Sequence, residues 1–334
     1  MAKIISEIQK LGLDAYKNPA LRYNDVSADD AIRNIINEAV GGEFNYYNFI
    51  DHKGKFFSVV AELIGLPIIE GLDGIFDGVT KTDTIAIDDV KVVEVEDNEL
   101  FTVASIAKGN NDIRRQAIYD KKVTVETEKL GIKIYVEFDR FMSGKINWGR
   151  LIQRVRKSFL SQVGALVYKS VLTGYDTVSN SDLSKTGSFS EDVLDDLIAK
   201  VEAKTGLTCA IYGTKKALGK ITKAETNLLS DDKKDEYIEF GYLRNYKGTQ
   251  MMELKNTVDK KGNFVLGDGT TDDLFILPIG SEIINIVFKG QPLVSESTDG
   301  EKRNDQQVEL LMEMEVGVAT LIAKYYGIYK LTSN

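Results

Sequence analysis

The sequence contains one histidine and one cysteine, the residue types that most often carry nucleophilic catalysis or bind transition metals. His52 lies between Asp51 and Lys53, but a catalytic histidine needs a nucleophile beside it, and the chain has no GxSxG motif. We therefore interpret His52 as a surface or interfacial residue. Cys209 lies in an apolar segment, which is typical of a small core residue. One histidine and one cysteine cannot form a zinc site, and a single cysteine excludes an intrachain disulfide.

Two further patterns have the residue types of ligand sites. The spacing of Gly71, Gly74 and Gly78 does not match the GxxxxGK[ST] phosphate loop, so we reject nucleotide binding there. Four acids between positions 259 and 273 are candidates for a calcium site, but the segment lacks the closing glutamate of an EF-hand loop. We interpret it as a polar turn; the acids are Asp259, Asp268, Asp272 and Asp273. The sequence thus predicts no enzyme, no metal and no cofactor.

The overall composition is that of a folded, acidic protein. The 334 residues carry a formal net charge of −9, with 43% hydrophobic and 28% charged residues. Proteins that bind DNA phosphates tightly usually present a basic face, so we expect only weak contact with nucleic acid. No apolar run is long enough to cross a bilayer, and the stretch MAKIISEIQK is too weakly apolar for a secretory signal. We therefore expect no membrane association and folding in a cytoplasm.

The first part of the chain changes from helical to strand periodicity. Apolar spacing predicts a helix over residues 27–39, ended by Gly41 and Gly42, and a second helix over 43–63, ended near Gly65 and Pro67. Period-two alternation predicts a strand over 131–139, and weaker patterns predict strands at 90–95 and 101–106. The polar stretch GNNDIRRQAIYDKK, residues 109–122, separates them and is predicted to be the tip of a long β-hairpin.

The second part contains the strongest helical signal. Apolar residues recur at three- and four-residue steps over 147–173, which predicts a helix of about 40 Å, long enough to cross the molecule. A mixed α/β region follows, with Ser188 and Glu191 as a possible capping box, Gly206 as a helix end and Gly317 as a bulge or a close packing point. The predicted late strands span 208–212, 248–254, 274–278, 282–289, 307–318 and 327–331.

The order of these parts resembles the major capsid proteins of tailed bacteriophages, whose Hong Kong ninety-seven-type fold is shared with encapsulins. The stretch VTVETEKLGIKIYVEFDRF followed by the 147–173 helix looks like an extended loop returning into a spine helix. IYGTKKALGKI and GYLRNYKGTQMMEL resemble the axial lobe, and residues 286–331 resemble the closing peripheral strands. The resemblance implies an α+β fold with five parts: an N-terminal arm (1–80), an extended β-hairpin region (81–139), a spine helix of the peripheral domain (140–187), an axial domain (188–280) and closing peripheral strands (281–334).

The resemblance also implies a function. A capsid subunit assembles with itself into pentamers and hexamers, and its partners are portal, scaffolding or head-completion proteins and, by weak contact, packaged double-stranded DNA. It would be assembled in the bacterial host cytoplasm and reside in the virion. Two alternatives stay open: the shell protein of an encapsulin-type nanocompartment, and a soluble α/β enzyme or ligand-binding protein.

Charges around the predicted hairpin suggest how copies find their register. A basic tip would contact an acidic patch near the hairpin base of the next subunit and so orient the encounter; a solvated loop without partners is the alternative. The basic residues are Arg114, Arg115, Lys121 and Lys122, and the acidic residues are Glu94, Glu96, Asp97 and Glu99.

Overall fold

The fold is described from a computed structural model of the whole chain. The structure describes residues 7–17, 22–23, 26–71, 78–95, 103, 105, 115–116, 121–137, 148–177, 182–225, 231–256, 264, 266, 271–296, 307–321 and 325–332. Within these residues no helix is long and apolar enough to span a membrane.

The N-terminal region forms a small helical cluster. Its elements are α1 (Glu7–Lys17), the short pair β1 (Arg22–Tyr23) and β2 (Val26–Ser27), α2 (Ala28–Ala39) and α3 (Tyr46–Gly71). Phe49, Phe56 and Phe57 on α3 contact one another edge to face, with ring centroids 5.2–6.4 Å apart. Helix α2 ends as predicted, because Gly41 and Gly42 both adopt positive φ angles that other residues rarely tolerate.

The predicted end of the second helix is wrong, since α3 continues through Gly65 and Pro67 to Gly71. Proline has no N–H to donate to the Leu63 carbonyl one turn earlier. Helix α1 packs at that carbonyl: a Cβ placed on Gly12 would lie 2.5 Å from the Leu63 oxygen. Helix α1 therefore approaches the backbone of α3 one turn before the proline.

A four-stranded sheet brings together strands from both halves of the chain. It consists of β3 (Thr80–Ile85), β6 (Thr127–Glu137), β12 (Ile284–Glu296) and β13 (Gln307–Thr320), in the order β3-β12-β13-β6. The predicted alternation of β6 is confirmed, because Leu130, Ile132 and Ile134 pack on the core while the residues between them are exposed. Two further strands, β4 (Val92–Val95) and β5 (Lys121–Thr124), pair only with each other among the described strands. We call this pair the ribbon.

The long helix is confirmed as α4 (Trp148–Thr177), although it extends beyond the predicted end at residue 173. Its buried stripe includes Phe159, Val163, Val167 and Val171, each at most 3% exposed. The helix packs against β13 and α3. It also contacts the second sheet, because Tyr168 donates a hydrogen bond to Asp273 and Tyr326 donates one of 3.0 Å to the Val171 carbonyl. The helix thus holds both sheets in place.

The second sheet has six strands in the order β7-β14-β11-β8-β10-β9. Its strands are β7 (Ser184–Gly187), β8 (Cys209–Gly213), β9 (Asn245–Tyr246), β10 (Thr249–Glu253), β11 (Thr271–Pro278) and β14 (Gly327–Thr332). Three helices accompany it: α5 (Glu191–Thr205), α6 (Lys215–Glu225) and α7 (Asp231–Phe240). The last of these had no counterpart among the predicted elements.

Two predicted details of this region are wrong. The final strand was expected beside the long closing strands, but β14 pairs antiparallel with β11 and parallel with β7, so it completes the six-stranded sheet. The residue that precedes α5 is Ser190, not Ser188, and its side chain makes no capping bond. The Tyr329 hydroxyl replaces a side-chain cap by accepting from the Ser190 N–H at 3.0 Å and donating to the Ser188 carbonyl.

Candidate assembly surfaces

Two of the charged residues that were predicted to mediate contacts between copies form an ion pair on the ribbon. Glu94 and Lys122 are direct register partners, and the Lys122 ammonium lies 2.8 Å from the Glu94 carboxylate. Both side chains are about two-thirds exposed or more, at 70% and 68%. The hydrogen bond between them, followed by their Coulomb attraction, lowers the pKa of Glu94 and raises the pKa of Lys122. An exposed pair of this kind fixes register more than it stabilises the fold.

Some of the other predicted contact residues are described by the structure, and the rest lie outside the described residues. Arg115 is exposed, as a contact residue needs to be. Lys121 and Lys122 were expected at the hairpin tip, and this is wrong because both belong to strand β5. The side chain of Lys121 lies outside the described residues, as do four whole residues of the set: Arg114, Glu96, Asp97 and Glu99. The third predicted strand, 101–106, also falls largely outside them.

Apolar side chains are exposed at the foot of the ribbon. Ile87, Val90 and Val92 are 70%, 62% and 46% exposed. The segment is held in place by an ion pair of 2.8 Å between Lys91 and Asp83 and by a hydrogen bond from the Val125 N–H to the Lys91 carbonyl. A run of fixed, exposed valine and isoleucine side chains is the kind of surface that another protein covers.

The ribbon joins the four-stranded sheet at a close backbone contact. Gly317 in β13 lies beside the turn between β5 and β6, where an added Cβ would be 2.6 Å from the Glu126 carbonyl oxygen. Glycine is required because no side chain fits there. This confirms the predicted close packing point at Gly317, and it ties the direction of the ribbon to the sheet.

Charged rows cover one face of the four-stranded sheet. Alternate residues of β13 supply Glu309, Glu313 and Glu315, and the neighbouring strands supply lysines. The Lys133 ammonium lies 2.7 Å from Glu309, and the Lys289 ammonium lies 3.6 Å from Glu315. The pKa of Glu315 is lowered first by a hydrogen bond from Thr127 and then by the positive charges of Lys289 and Lys129. Glu309 is buried although the face carries charge, so its ion pair is part of the fold.

Of the four acids in the predicted polar turn, two lie in a strand and two lie outside the described residues. The prediction of a turn is wrong for Asp272 and Asp273, because both are buried in strand β11. The Asp272 carboxylate forms ion pairs with Lys216 and Lys220, one helical turn apart on α6, at 3.1 and 2.8 Å. Asp273 accepts from Tyr168 of the long helix. These acids hold elements together; Asp259 and Asp268 lie outside the described residues.

Cys209 and His52, the residues first considered for catalysis or metal binding, both make contacts within the fold. Cys209 is 3% exposed, and burial, with a smaller effect of Glu202, raises the pKa of its thiol to about 12. His52 marks a kink in α3, where its Nδ1–H donates to the Asn48 carbonyl at 3.1 Å and its ring packs against the Gly41 turn. Throughout the part of the chain that the structure describes, no three His, Cys, Asp or Glu residues gather as metal ligands.

Comparison with solved structures gives the same architecture. The mature capsid protein of bacteriophage PhiM1 aligns with a TM-score of 0.52 and 10% identity, covering 78% of this chain and 87% of that one. The capsid protein of cyanophage P-SCSP1u aligns at 0.51 and 10% identity, covering 78% and 88%. A solved structure titled Gordonia phage Cozz aligns at 0.50 and 14% identity, covering 78% of this chain and 87% of that one. Such low identity establishes the fold alone, and that fold is the expected Hong Kong ninety-seven-type capsid fold.

Comparison with sequences extends the match along almost the whole chain. No curated protein sequence matches it. A protein-family model described as "SPbeta prophage-derived putative capsid protein YonB" matches residues 2–330. Since the matched segment includes the N-terminal helices, the ribbon, the long helix and both sheets, the chain belongs to the YonB family of prophage-derived capsid proteins.

Proposed function

We propose that this chain is a major capsid protein that assembles with copies of itself into the closed shell of a tailed phage or prophage particle. The observation that carries the proposal is the family match over residues 2–330, together with the capsid fold of the two sheets and the long helix. The protein acts as a structural element, and its working surfaces are contacts between copies.

We propose pentamers and hexamers as the building units of the shell. Closed rings repeat the same contact around an axis, so that weak individual contacts add up to a stable assembly. Helix α4 suits such a role because it is a 30-residue rod in contact with both sheets. It packs against β13 of the four-stranded sheet, and Tyr168 and the Val171 carbonyl form hydrogen bonds with Asp273 and Tyr326 of the six-stranded sheet and its flank. A load on one sheet is thereby passed to the other through a rigid element.

The ribbon is the element that we assign to contact with the neighbouring copy. A two-stranded sheet is at best marginally stable in water unless another surface covers it. Among the described strands none pairs with β4 or β5 apart from each other, and Val92 and Thr124 share an exposed face with the Glu94–Lys122 pair. Cover from a second copy would complete both the ribbon and the exposed apolar segment at its foot.

Further partners follow from the proposed role. A shell of this kind needs a portal at one vertex and scaffolding or head-completion proteins during assembly in the host bacterial cytoplasm. Contact with packaged double-stranded DNA is expected to be weak, since a net charge of −9 disfavours binding to phosphates. Weak contact leaves the genome free to enter and leave.

Sedimentation velocity of the purified protein tests the proposal. We expect wild type to form particles far larger than a ring of six subunits. Val92→Asp places a charge on the exposed ribbon face and is expected to abolish these particles, whereas Val92→Thr keeps the side-chain shape and serves as the matched control. A small discrete oligomer for wild type, unaffected by either substitution, contradicts the proposal.

A further inference from the structure

Among the acids of β13 whose side chains the structure describes on the charged face, one is not neutralised by its neighbours. Glu309 and Glu315 each have a lysine on an adjacent strand. Glu313, which lies between them on β13, makes no ion pair with any described residue. An incompletely matched charge on a surface that is otherwise balanced points to a partner outside the subunit.

The register explains why Glu313 has no cation. Its partner on β6 is Gly131, which has no side chain, and its partner on β12 is Leu293, which is 56% exposed. A Cβ placed on Gly131 would meet nothing closer than 3.8 Å, so the space beside the carboxylate is open. We call Gly131, Leu293 and Glu313 the Glu313 notch.

The shape and chemistry of the notch suit an arginine. The exposed leucine offers an apolar surface to the methylene groups of a long side chain, and the carboxylate accepts the guanidinium. The open place over Gly131 leaves room for the planar head group. A lysine could also neutralise Glu313, but its compact ammonium lacks the planar fork of donors with which a guanidinium binds a carboxylate.

The stretch of sequence between β4 and β5 contains a matching cation, Arg115. Lys122 is already engaged by Glu94 of the same chain. Arg115 is exposed and makes no ion pair with any residue that the structure describes. Glu94, the one described acid of the set predicted at the ribbon base, is already paired with Lys122, so a carboxylate elsewhere on the next copy is the acceptor that we consider.

We propose that the Glu313 notch of one copy binds Arg115 of a neighbouring copy. The inference rests on the proposed self-assembly and identifies one contact within it. It changes the acceptor expected from the sequence, which was the acidic cluster near Glu94. It also predicts a contact that salt weakens, because the pair forms at the surface of the sheet.

Charge reversal with rescue tests the contact. The variants are Arg115→Glu, Glu313→Arg and the double reversal, with Glu128→Arg as the matched control. Glu128 is an exposed acid on the same strand as Gly131, and its register partner is Val316, outside the acidic row. The measured quantities are the subunit concentration at half assembly and the urea midpoint of the unassembled subunit.

We expect each single reversal to raise the concentration at half assembly by at least about threefold. The double reversal is expected to return it towards the wild-type value, and the control to leave it unchanged. Gly131→Leu provides a second, uncharged test, because its Cβ would meet no atom closer than 3.8 Å and its side chain would occupy the space beside Glu313; it is expected to raise the same concentration.

Three results would overturn the inference. Single reversals that assemble like the control remove the contact, and a double variant that is worse than both singles removes the pairing. A lower urea midpoint in both single variants, without an assembly defect, assigns the pair to the interior of one chain. If wild type itself forms no shell, the proposed function fails and the inference fails with it.

Discussion

Replacing Gly317 by alanine tests how the ribbon is attached to the body of the subunit. The new methyl group would lie 2.6 Å from the Glu126 carbonyl oxygen and 2.9 Å from a Val125 methyl carbon. Such contacts are comfortable at roughly 3.5 Å, so the two backbones need to separate by about 1 Å. Overpacking of this kind costs about 1–3 kcal/mol of the free energy of unfolding.

A neighbouring glycine provides the control for this substitution. Alanine at Gly131 meets no atom closer than 3.8 Å. Both substitutions reduce the backbone freedom of the unfolded chain by the same amount. This reduction stabilises a strand by about 0.5–1 kcal/mol. The difference between the two variants therefore isolates the overpacking cost of about 1–3 kcal/mol.

Urea unfolding of the unassembled subunit measures that difference. We expect the midpoint of Gly317→Ala to lie below that of Gly131→Ala, with unchanged slope. Sedimentation should also show impaired assembly of Gly317→Ala, because moving Glu126 redirects the ribbon. Equal midpoints for the two variants would refute the close-contact reasoning.

Three further predictions concern the core and the titrating groups. Val163→Ala, at a fully buried position of α4, should lower the free energy of unfolding by about 2 kcal/mol, whereas Gln162→Ala on its exposed side should not; equal urea midpoints would contradict this. Burial, then a hydrogen bond with Asp195, raises the pKa of Tyr246 to about 12, so its contribution to stability is complete below the ordinary value near 10 and is lost as the pH rises towards 12. The urea midpoint of wild type should thus fall more steeply over that range than that of Tyr246→Phe, and parallel curves would count against it. Burial also raises the pKa of Cys209 to about 12, so a thiol reagent at pH 8 should react only after unfolding, and rapid reaction of the folded protein would be inconsistent with the structure.

Local periodicity was sufficient to predict the elements whose environment is uniform along their length. The long helix is one, because its apolar residues face a continuous core over many turns. Strand β6 is another, since one of its faces packs on the core and the other is exposed. In both cases the spacing of apolar residues reports burial directly.

Contacts between distant segments account for the errors. Helix α3 continues past Pro67, and α1 packs closely against its backbone at Leu63, a contact that no local pattern reveals. Asp272 and Asp273 resemble turn residues in sequence, but partners about 50 and 100 residues away, on α6 and α4, allow them to be buried. Strand β14 has the composition of any buried strand, and only the topology assigns it to the six-stranded sheet.

The candidate contact surface was predicted only in outline. The residue types around the ribbon indicated a charged hairpin, but not that Glu94 and Lys122 would neutralise each other. The open notch at Glu313 depends on a cross-strand register that places Gly131 and Leu293 beside it. Gly131 and Glu313 are paired across strands from opposite halves of the chain, so the sequence alone could not identify this acid as one without a described cation.

Negative-stain electron microscopy of the purified protein tests the central claim most directly. A chain that tiles with itself through the ribbon and the sheet face should form closed shells of uniform diameter with five-fold and six-fold clusters on their surface. Rounded particles of only a few subunits, at protein concentrations and salt conditions that favour association, would contradict it.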